Sequence, residues 1–175
     1  MTRSRDLADL GANAATLEKQ GLTLINTTSF SGVASQDITS CFSATYESYK
    51  IIIKATNSTT AFLAVRLLSG STPATAGNYA YYGSSISSSA AEVLAGSTTA
   101  TSWDRSGSLT EQYINIELTA PFLAEVTRGH FVQLDSVNYR DFGIRHTLAN
   151  SYDGFQFFPS SGTTTGTVSV YGFNK

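Results

Sequence analysis

Charged side chains are scarce in this sequence. They make up 14% of the 175 residues, and the formal net charge is only −2. Nucleic-acid binding depends on clustered lysine and arginine, so nucleic acid is not expected as a partner. Disorder is not expected either, because 41% of the residues are hydrophobic, whereas disordered chains combine low hydrophobicity with high net charge. The surface must consist largely of neutral hydroxyl and amide groups.

Cysteine and long apolar runs are nearly absent. The single cysteine, Cys41, cannot form an internal disulfide or share a zinc ion with other cysteines, so we interpret it as a small core residue. No run of 18 apolar residues is present to span a membrane, and Asp6 and Asp9 lie where a signal peptide needs an apolar segment. We therefore expect no membrane insertion and a chain made in the cytoplasm.

Groups that could catalyse a reaction are few. The only histidines, His130 and His146, are 16 residues apart and outside any common metal-binding spacing, so we interpret them as surface or satisfied side chains. Serine is abundant, but the GxSxG pattern of a nucleophile elbow does not occur. Glycine-rich phosphate loops and calcium-binding loops are missing as well. We expect a protein that is not an enzyme, with no catalytic residue, no metal and no cofactor.

The scarcity of acids makes each one a candidate for glycoside cleavage, which uses two facing carboxyl groups. Such a pair could be drawn from Glu117, Glu125, Asp135 and Asp141. A simpler interpretation places these acids at outward strand positions or opposite Arg128, Arg140 and Arg145. A carbohydrate-acting enzyme with a β-sandwich fold remains an alternative, and it requires two acids and an aromatic ring in one cleft.

After Gly21 the sequence consists of short β-type runs separated by Ser, Thr, Gly and Asn. In SYKIIIKAT, Tyr49, Ile51 and Ile53 share one face, which is the two-residue period of a half-buried strand. About nine runs qualify: LTLINTTSF, SYKIIIKAT, AFLAVRLLS, NYAYYGS, QYINIELT, HFVQLDSV, FGIRHTL, FQFFP and TVSVYGF. The pattern predicts an all-β, antiparallel sandwich over residues 21–175.

Two further local predictions concern the connections. The stretch SSISSSAAEVLAGSTTATS is small and polar, which indicates a long surface connection in which AAEVLAG could form one helical turn. The pair Asp153-Gly154 predicts a tight hairpin turn, because glycine tolerates the positive φ of such turns.

Residues 1–20 differ from the rest of the chain. Six of the 24 formally charged side chains lie in the first 21 residues, and leucines recur there at helical spacing. A helix this short is marginal alone, so we predict a helical or extended arm that becomes ordered against a partner. The residues assigned to docking are Arg3, Arg5, Asp6, Leu7, Asp9, Leu10 and Leu17.

Aromatic side chains in and near the polar connections suggest a sugar-binding surface. Exposed rings stack on the apolar face of a sugar while nearby polar groups bind its hydroxyls. The candidate glycan contacts are Tyr79, Tyr81, Tyr82 and Trp103. The alternative is that Tyr79 and Tyr81 face the core as strand residues.

The sequence resembles small virion proteins of tailed bacteriophages, particularly marine and cyanobacterial ones. The resemblance rests on SRDLADLG (Ser4 to Gly11), GLTLINTTSFSG, YESYKIII (Tyr46 to Ile53) and the chain end TGTVSVYGFNK. It implies a jelly-roll type β-sandwich, a homotrimer and a place in the virion as a tail-fibre or knob component. Residues 1–20 would dock onto other virion proteins, and the β-domain would attach to a host-surface glycan.

Related locations fit the same resemblance. A capsid decoration or head-fibre protein would have the same design, and an internal scaffold would bury the aromatic region beneath neighbouring subunits. The trimer is also expected from the sequence, because AFLAVRLLS and FQFFP have apolar residues on both faces and a second face needs a cover.

Overall fold

The computed structural model describes residues 21–104, 107, 109–134 and 138–174, and in these ranges it contains strands and turns but no helix. The arm predicted for residues 1–20 lies outside them. In chain order the strands are β1 (Leu22–Val33), β2 (Gln36–Ile38), β3 (Ser48–Ala61), β4 (Leu63–Ser69), β5 (Thr72–Pro73), β6 (Tyr79–Ser87), β7 (Glu92–Ala100), β8 (Leu109–Thr119), β9 (Arg128–Leu134), β10 (Asn138–His146), β11 (Gly154–Pro159) and β12 (Thr164–Phe173).

The strands form two antiparallel sheets. The large sheet has eight strands in the order β1-β12-β3-β8-β9-β10-β6-β7, and the small sheet has four in the order β2-β11-β4-β5. The all-β antiparallel sandwich predicted from the sequence is confirmed. A jelly roll has eight strands in two sheets, whereas this sandwich has sheets of eight and four strands, so the jelly-roll type stays a prediction. The trimer stays a prediction as well.

Alternation along the central strands explains which face is buried. On β3, Tyr49, Ile51 and Ile53 are buried, while Ile52 and Lys54 between them are exposed. The neighbouring strand β8 repeats the pattern, so the two strands bury the same face. We call the opposite, solvent-facing side of the large sheet the outer face.

The core lies between the two sheets. The small sheet contributes Leu63, Val65, Leu67, Phe155 and Phe157, all fully buried. Aromatic rings cross the interface edge to face, as where Phe30 of β1 meets Phe157 of β11 with ring centroids 5.0 Å apart. Cys41 belongs to this core, as expected, and burial raises its pKa to about 12, which keeps the thiol protonated at neutral pH.

All nine predicted strand runs coincide with strands, although the end of HFVQLDSV passes beyond the described residues. The surface connection predicted for residues 84–102 is wrong. The chain forms the second half of β6 and all of β7 there, and β7 pairs with β6 from Tyr79↔Ala100 to Ile86↔Glu92. Because β7 is an edge strand with no fully buried residue, and only small residues such as Ala95 pack against the core, its sequence lacks the strong apolar alternation by which strands are recognised.

The tight hairpin predicted at Asp153-Gly154 is also wrong. Gly154 begins β11, and a Cβ there would collide with the carbonyl oxygen of Ile38 on the neighbouring β2, so glycine is required by close approach of the backbones. Asp153 joins separate loops: its carbonyl accepts the N–H groups of Cys41 and Phe42 at 2.9 and 3.0 Å. Its carboxylate accepts the N–H of Gly70 at 2.8 Å.

The second face of β4 is covered within the chain itself. Ala64 and Leu68 are buried in the single subunit, and the guanidinium of Arg66 lies over the ring of Phe158 at 4.4 Å. The apolar residues Ala64 and Leu68 of AFLAVRLLS therefore need no cover from a second subunit.

Candidate functional site

The predicted glycan-binding cluster does not form an exposed surface. Tyr79 and Trp103 have no exposed area, Tyr81 is buried, and Tyr82 alone is half exposed. The reason is alternation: Tyr79 and Tyr81 are on the core side of β6, whereas Tyr82 is on the outer face. The assignment of Tyr79, Tyr81 and Trp103 as glycan contacts is wrong, and the alternative that both tyrosines face the core is confirmed.

Instead, Tyr79 and Trp103 belong to a buried aromatic seam that includes His146 and Tyr152. The ring of Tyr79 meets Trp103 and His146 edge to face, with centroids 5.1 and 4.7 Å apart. The ring of Tyr152 meets His146 in the same way at 5.0 Å. The arrangement joins β6 and β10 of the large sheet to the loops that cross the end of the sandwich.

Hydrogen bonds fix each ring of this seam. The Tyr79 hydroxyl accepts the N–H of Leu67 at 2.9 Å and donates to the carbonyl of Ala74 at 2.8 Å, which ties β6 to the small sheet. Trp103 Nε1 donates to the Arg145 carbonyl at 3.2 Å, and its backbone pairs with Val65 of β4. Because these polar groups all have partners inside the protein, the seam is a structural element and not a ligand surface.

His146 is the titratable group at the centre of the seam. Its Nδ1 lies 3.1 Å from the Tyr152 hydroxyl. Burial lowers the pKa of His146 from its ordinary value of 6.5, because desolvation penalises the imidazolium form. The unfolded chain therefore takes up the proton first. The stability contributed by neutral His146 is complete above the unfolded pKa and is lost as the pH falls from there towards the lower folded pKa.

We predict that His146→Gln makes the stability of the protein less dependent on pH below neutrality. At neutral pH the variant should lose about 1–3 kcal/mol, since the Tyr152 hydroxyl loses its imidazole partner. Between about pH 7.5 and about pH 5, however, its melting temperature should fall less than that of the wild type, because one titrating group is gone. Thermal melting across this range measures both effects. The control is His130→Gln, which changes an exposed ring; equal slopes for all three proteins would refute the assignment.

Of the remaining acid and histidine candidates, Glu117, His130 and Asp141 lie on the outer face of the large sheet. Glu117 forms an ion pair with Lys50 at 3.1 Å. Asp141 contacts His130 Nε2 through one oxygen and accepts the Tyr139 hydroxyl at 2.9 Å through the other. Glu117 therefore occupies an outward strand position, as the simpler interpretation expected, and the partners shown for Glu117 and Asp141 are a lysine, a histidine and a tyrosine. Glu125 is exposed, and Asp135 lies outside the described residues.

Two buried glutamines were missed by the sequence analysis. Gln112 Nε2 donates to the carbonyls of Ala61 and Gly107 at 2.9 and 2.8 Å, and its Oε1 accepts from Gln133 Nε2. Gln133 Oε1 accepts the N–H of Gly107. The burial of Gln112 could have been predicted from the sequence, because Gln112 lies on the same face of the strand QYINIELT as Ile114. These amides fasten the chain that enters β8 to the sheet.

Tyr82 lines a shallow surface depression of about 380 Å³ together with Gly83, Leu94, Ala95 and Gly96. Its ring covers Gly96, where a Cβ would lie 2.9 Å from Tyr82 Cδ1. Gly143 lies opposite Tyr82 on the other side. The ring is therefore flanked by glycines, and the Asp141 carboxylate is occupied by His130 and Tyr139. Among the described residues, these neighbours do not supply the polar groups that a sugar site brings to its aromatic ring.

The docking residues assigned from the sequence, Arg3, Arg5, Asp6, Leu7, Asp9, Leu10 and Leu17, lie outside the described residues. The structure does describe where the chain enters the domain. The Gly21 carbonyl accepts the N–H of Asn174 at 3.0 Å, and the Thr23 hydroxyl donates to the Asn174 side chain at 3.1 Å. Leu22 pairs with Phe173. The start of β1 is thus fastened to the end of β12 at one edge of the large sheet.

Comparison with known proteins assigns no relative: no protein-family model matches the chain, and no curated protein matches it. In the described ranges, no group of three or more His, Cys, Asp or Glu side chains could hold a metal ion. A helix long and apolar enough to cross a membrane is likewise missing from that part of the chain. What the fold defines is a class, the antiparallel β-sandwich.

Proposed function

We propose that the chain is a non-enzymatic structural protein of a tailed-phage virion, in the manner of a tail-fibre or knob component. Residues 1–20 dock onto other virion proteins, and the β-sandwich is displayed as a trimer for attachment to the host surface. One observation carries this proposal: the six-charge, leucine-spaced segment ends where a complete sandwich begins. Residues 21–174 supply both sheets, and the described core runs from Phe30 to Val170.

The chemistry of the described domain supports a binding or structural role. Its buried histidine, tyrosines, tryptophan and glutamines are engaged in hydrogen bonds that join strands and loops. Its outer face carries local charge pairs, such as those of Lys50 with Glu117 and of His130 with Asp141. A weakly charged sandwich whose buried rings and amides are hydrogen-bonded suits a particle component that must keep its shape outside the cell.

The presence of the chain in particles tests the proposal. Particles of the phage whose genome encodes it would be purified on a density gradient and analysed by quantitative mass spectrometry. We expect the chain to co-purify with infectious particles in a fixed ratio to the major capsid protein, and antibody labelling to locate it on the tail or the head. A chain found only in the cell lysate would refute the proposal.

A double substitution in the arm separates its leucines from its charges. Leu7→Asp with Leu10→Asp should reduce incorporation into particles at least about tenfold, since a buried leucine contributes about 1.5–3 kcal/mol and an unpaired buried carboxylate adds a penalty. Arg5→Ala is the matched control and should have a smaller effect, because exposed ion pairs contribute about 0–1 kcal/mol. Copies per particle measure the result. Normal incorporation of the leucine variant would contradict docking through these side chains.

A further inference from the structure

Exposed apolar side chains are concentrated at one corner of the large sheet. Of the eleven large hydrophobic residues that are exposed in the described part of the chain, six belong to β6, β7, β9 and β10. These six are Tyr82, Ile86, Val93, Leu94, Leu134 and Tyr139, and we call them the β7 corner. Leu94 is 78% exposed and Val93 is 62% exposed, the former being the largest fraction of the eleven.

The strand register makes the β7 corner continuous. Tyr139 lies between Leu134 on one side and Ile86 on the other, so the three form a row across β9, β10 and β6. Leu94 is opposite Ser84, one row further along, and Tyr82 follows on the same face. These five belong to the outer face. Val93 points to the other side of β7, so the edge strand is exposed on both faces.

The size of the outer-face part of the β7 corner approaches that of an interface between subunits. At their exposed fractions its five residues present on the order of 600 Å², against the roughly 800 Å² that each partner buries in a standard interface. This is at the upper end of the roughly 300–600 Å² of the largest apolar patch on a typical monomer, and such patches are often functional. The area is therefore most of what one contact with another folded chain would bury.

Charge and backbone favour a second copy as the partner. Glu92 is the only charged residue of β7 and is its first residue, so the rest of the edge strand presents no charge that would repel a second copy. No strand pairs with the outer edge of β7 in the described residues, so its N–H and C=O groups are available for an added strand. A glycan is the poorer occupant, because Tyr82 is flanked by Gly96 and Gly143.

We propose that the β7 corner is the surface through which copies of this chain contact one another. The inference rests on the self-association that forms part of the proposed function, and it places that contact on the outer face and edge of β7. The second face of β4, from which association was expected, is already covered in the single subunit. This contact does not involve β1, at which the chain enters the domain, because β1 and β7 are the two opposite edge strands of the large sheet.

Paired variants test the location on the full-length protein. Leu94→Glu with Leu134→Glu places charge in the β7 corner. The matched control, Ile52→Glu with Tyr113→Glu, changes two exposed apolar residues of the same outer face on β3 and β8. Sedimentation velocity at micromolar concentration should show an oligomer for the wild type and the control. The corner variant should dissociate, with a dissociation constant raised at least about a hundredfold. Circular dichroism confirms that each variant is folded.

Three results would overturn the inference. A wild-type monomer would remove the association itself, and particle analysis would then show separately whether the virion role survives. If the corner variant still formed the oligomer, the contact would lie elsewhere. If the wild type were monomeric and the corner variant lost binding to host cells, the β7 corner would be a receptor-binding surface. Conversely, an oligomer disrupted only by the corner variant, in a chain missing from particles, would uphold this inference while the virion role fails.

Discussion

Trp103→Ala is expected to lower the free energy of unfolding by about 3–5 kcal/mol, the usual cost of removing a large aromatic side chain from a core. Trp103 has no exposed area, packs against Tyr79, and donates its indole N–H to the Arg145 carbonyl. Alanine would leave both a cavity and an unsatisfied carbonyl. For a chain of this size the melting temperature should fall by roughly 6–20 °C.

The comparison with Trp103→Phe separates packing from the hydrogen bond. Phenylalanine keeps most of the ring but has no N–H, so about 1–3 kcal/mol should be lost. Tyr113→Ala controls for loss of an exposed ring and should change stability by no more than about 0.5 kcal/mol. Thermal and urea unfolding measure all three. If Trp103→Ala left stability unchanged and instead weakened binding to host cells, the ring would be a surface contact and the described seam would be wrong.

Deletion of residues 1–20 is expected to abolish attachment to particles while leaving the β-domain folded. The described core begins at Phe30, and β1 is fastened to β12 by Gly21, Thr23 and Asn174, all of which the truncated chain retains. Its melting temperature should therefore stay within about 4 °C of the full-length value, corresponding to about 1 kcal/mol or less. Attachment to particles should fall to background. A truncated chain that no longer folds would make the segment part of the domain.

Strand positions were predictable because burial on one face leaves a period of two in the sequence. The runs around Ile51, Ile116 and Val168 show it plainly, and they form the three adjacent strands β12, β3 and β8 of the large sheet. β7 was not predictable, since it is an edge strand without a fully buried residue and its core-facing positions are small, as at Ala95 and Ser97. β2 and β5 are two or three residues long, too short for any periodicity to register.

The aromatic cluster shows why a site is harder to predict than a strand. Tyr79, Tyr81 and Tyr82 occur within four residues, but alternation sends the first two inwards and the third outwards. Trp103 follows a polar stretch that suggested a loop, and only the pairing of its backbone with Val65 brings the ring into the core. The neighbours of an exposed ring depend on strand register, as the glycines beside Tyr82 do, and register is a property of the folded sheet.

The central claim is that residues 1–20 attach this β-domain to a virion, and the copy number per particle tests it most directly. Particles assembled with the full-length chain, the truncated chain, or residues 1–20 fused to an unrelated soluble protein would be purified and quantified by mass spectrometry. The account predicts normal copies of the full-length chain, background levels of the truncated chain, and incorporation of the fusion. Normal incorporation of the truncated chain, with none of the fusion, would contradict it.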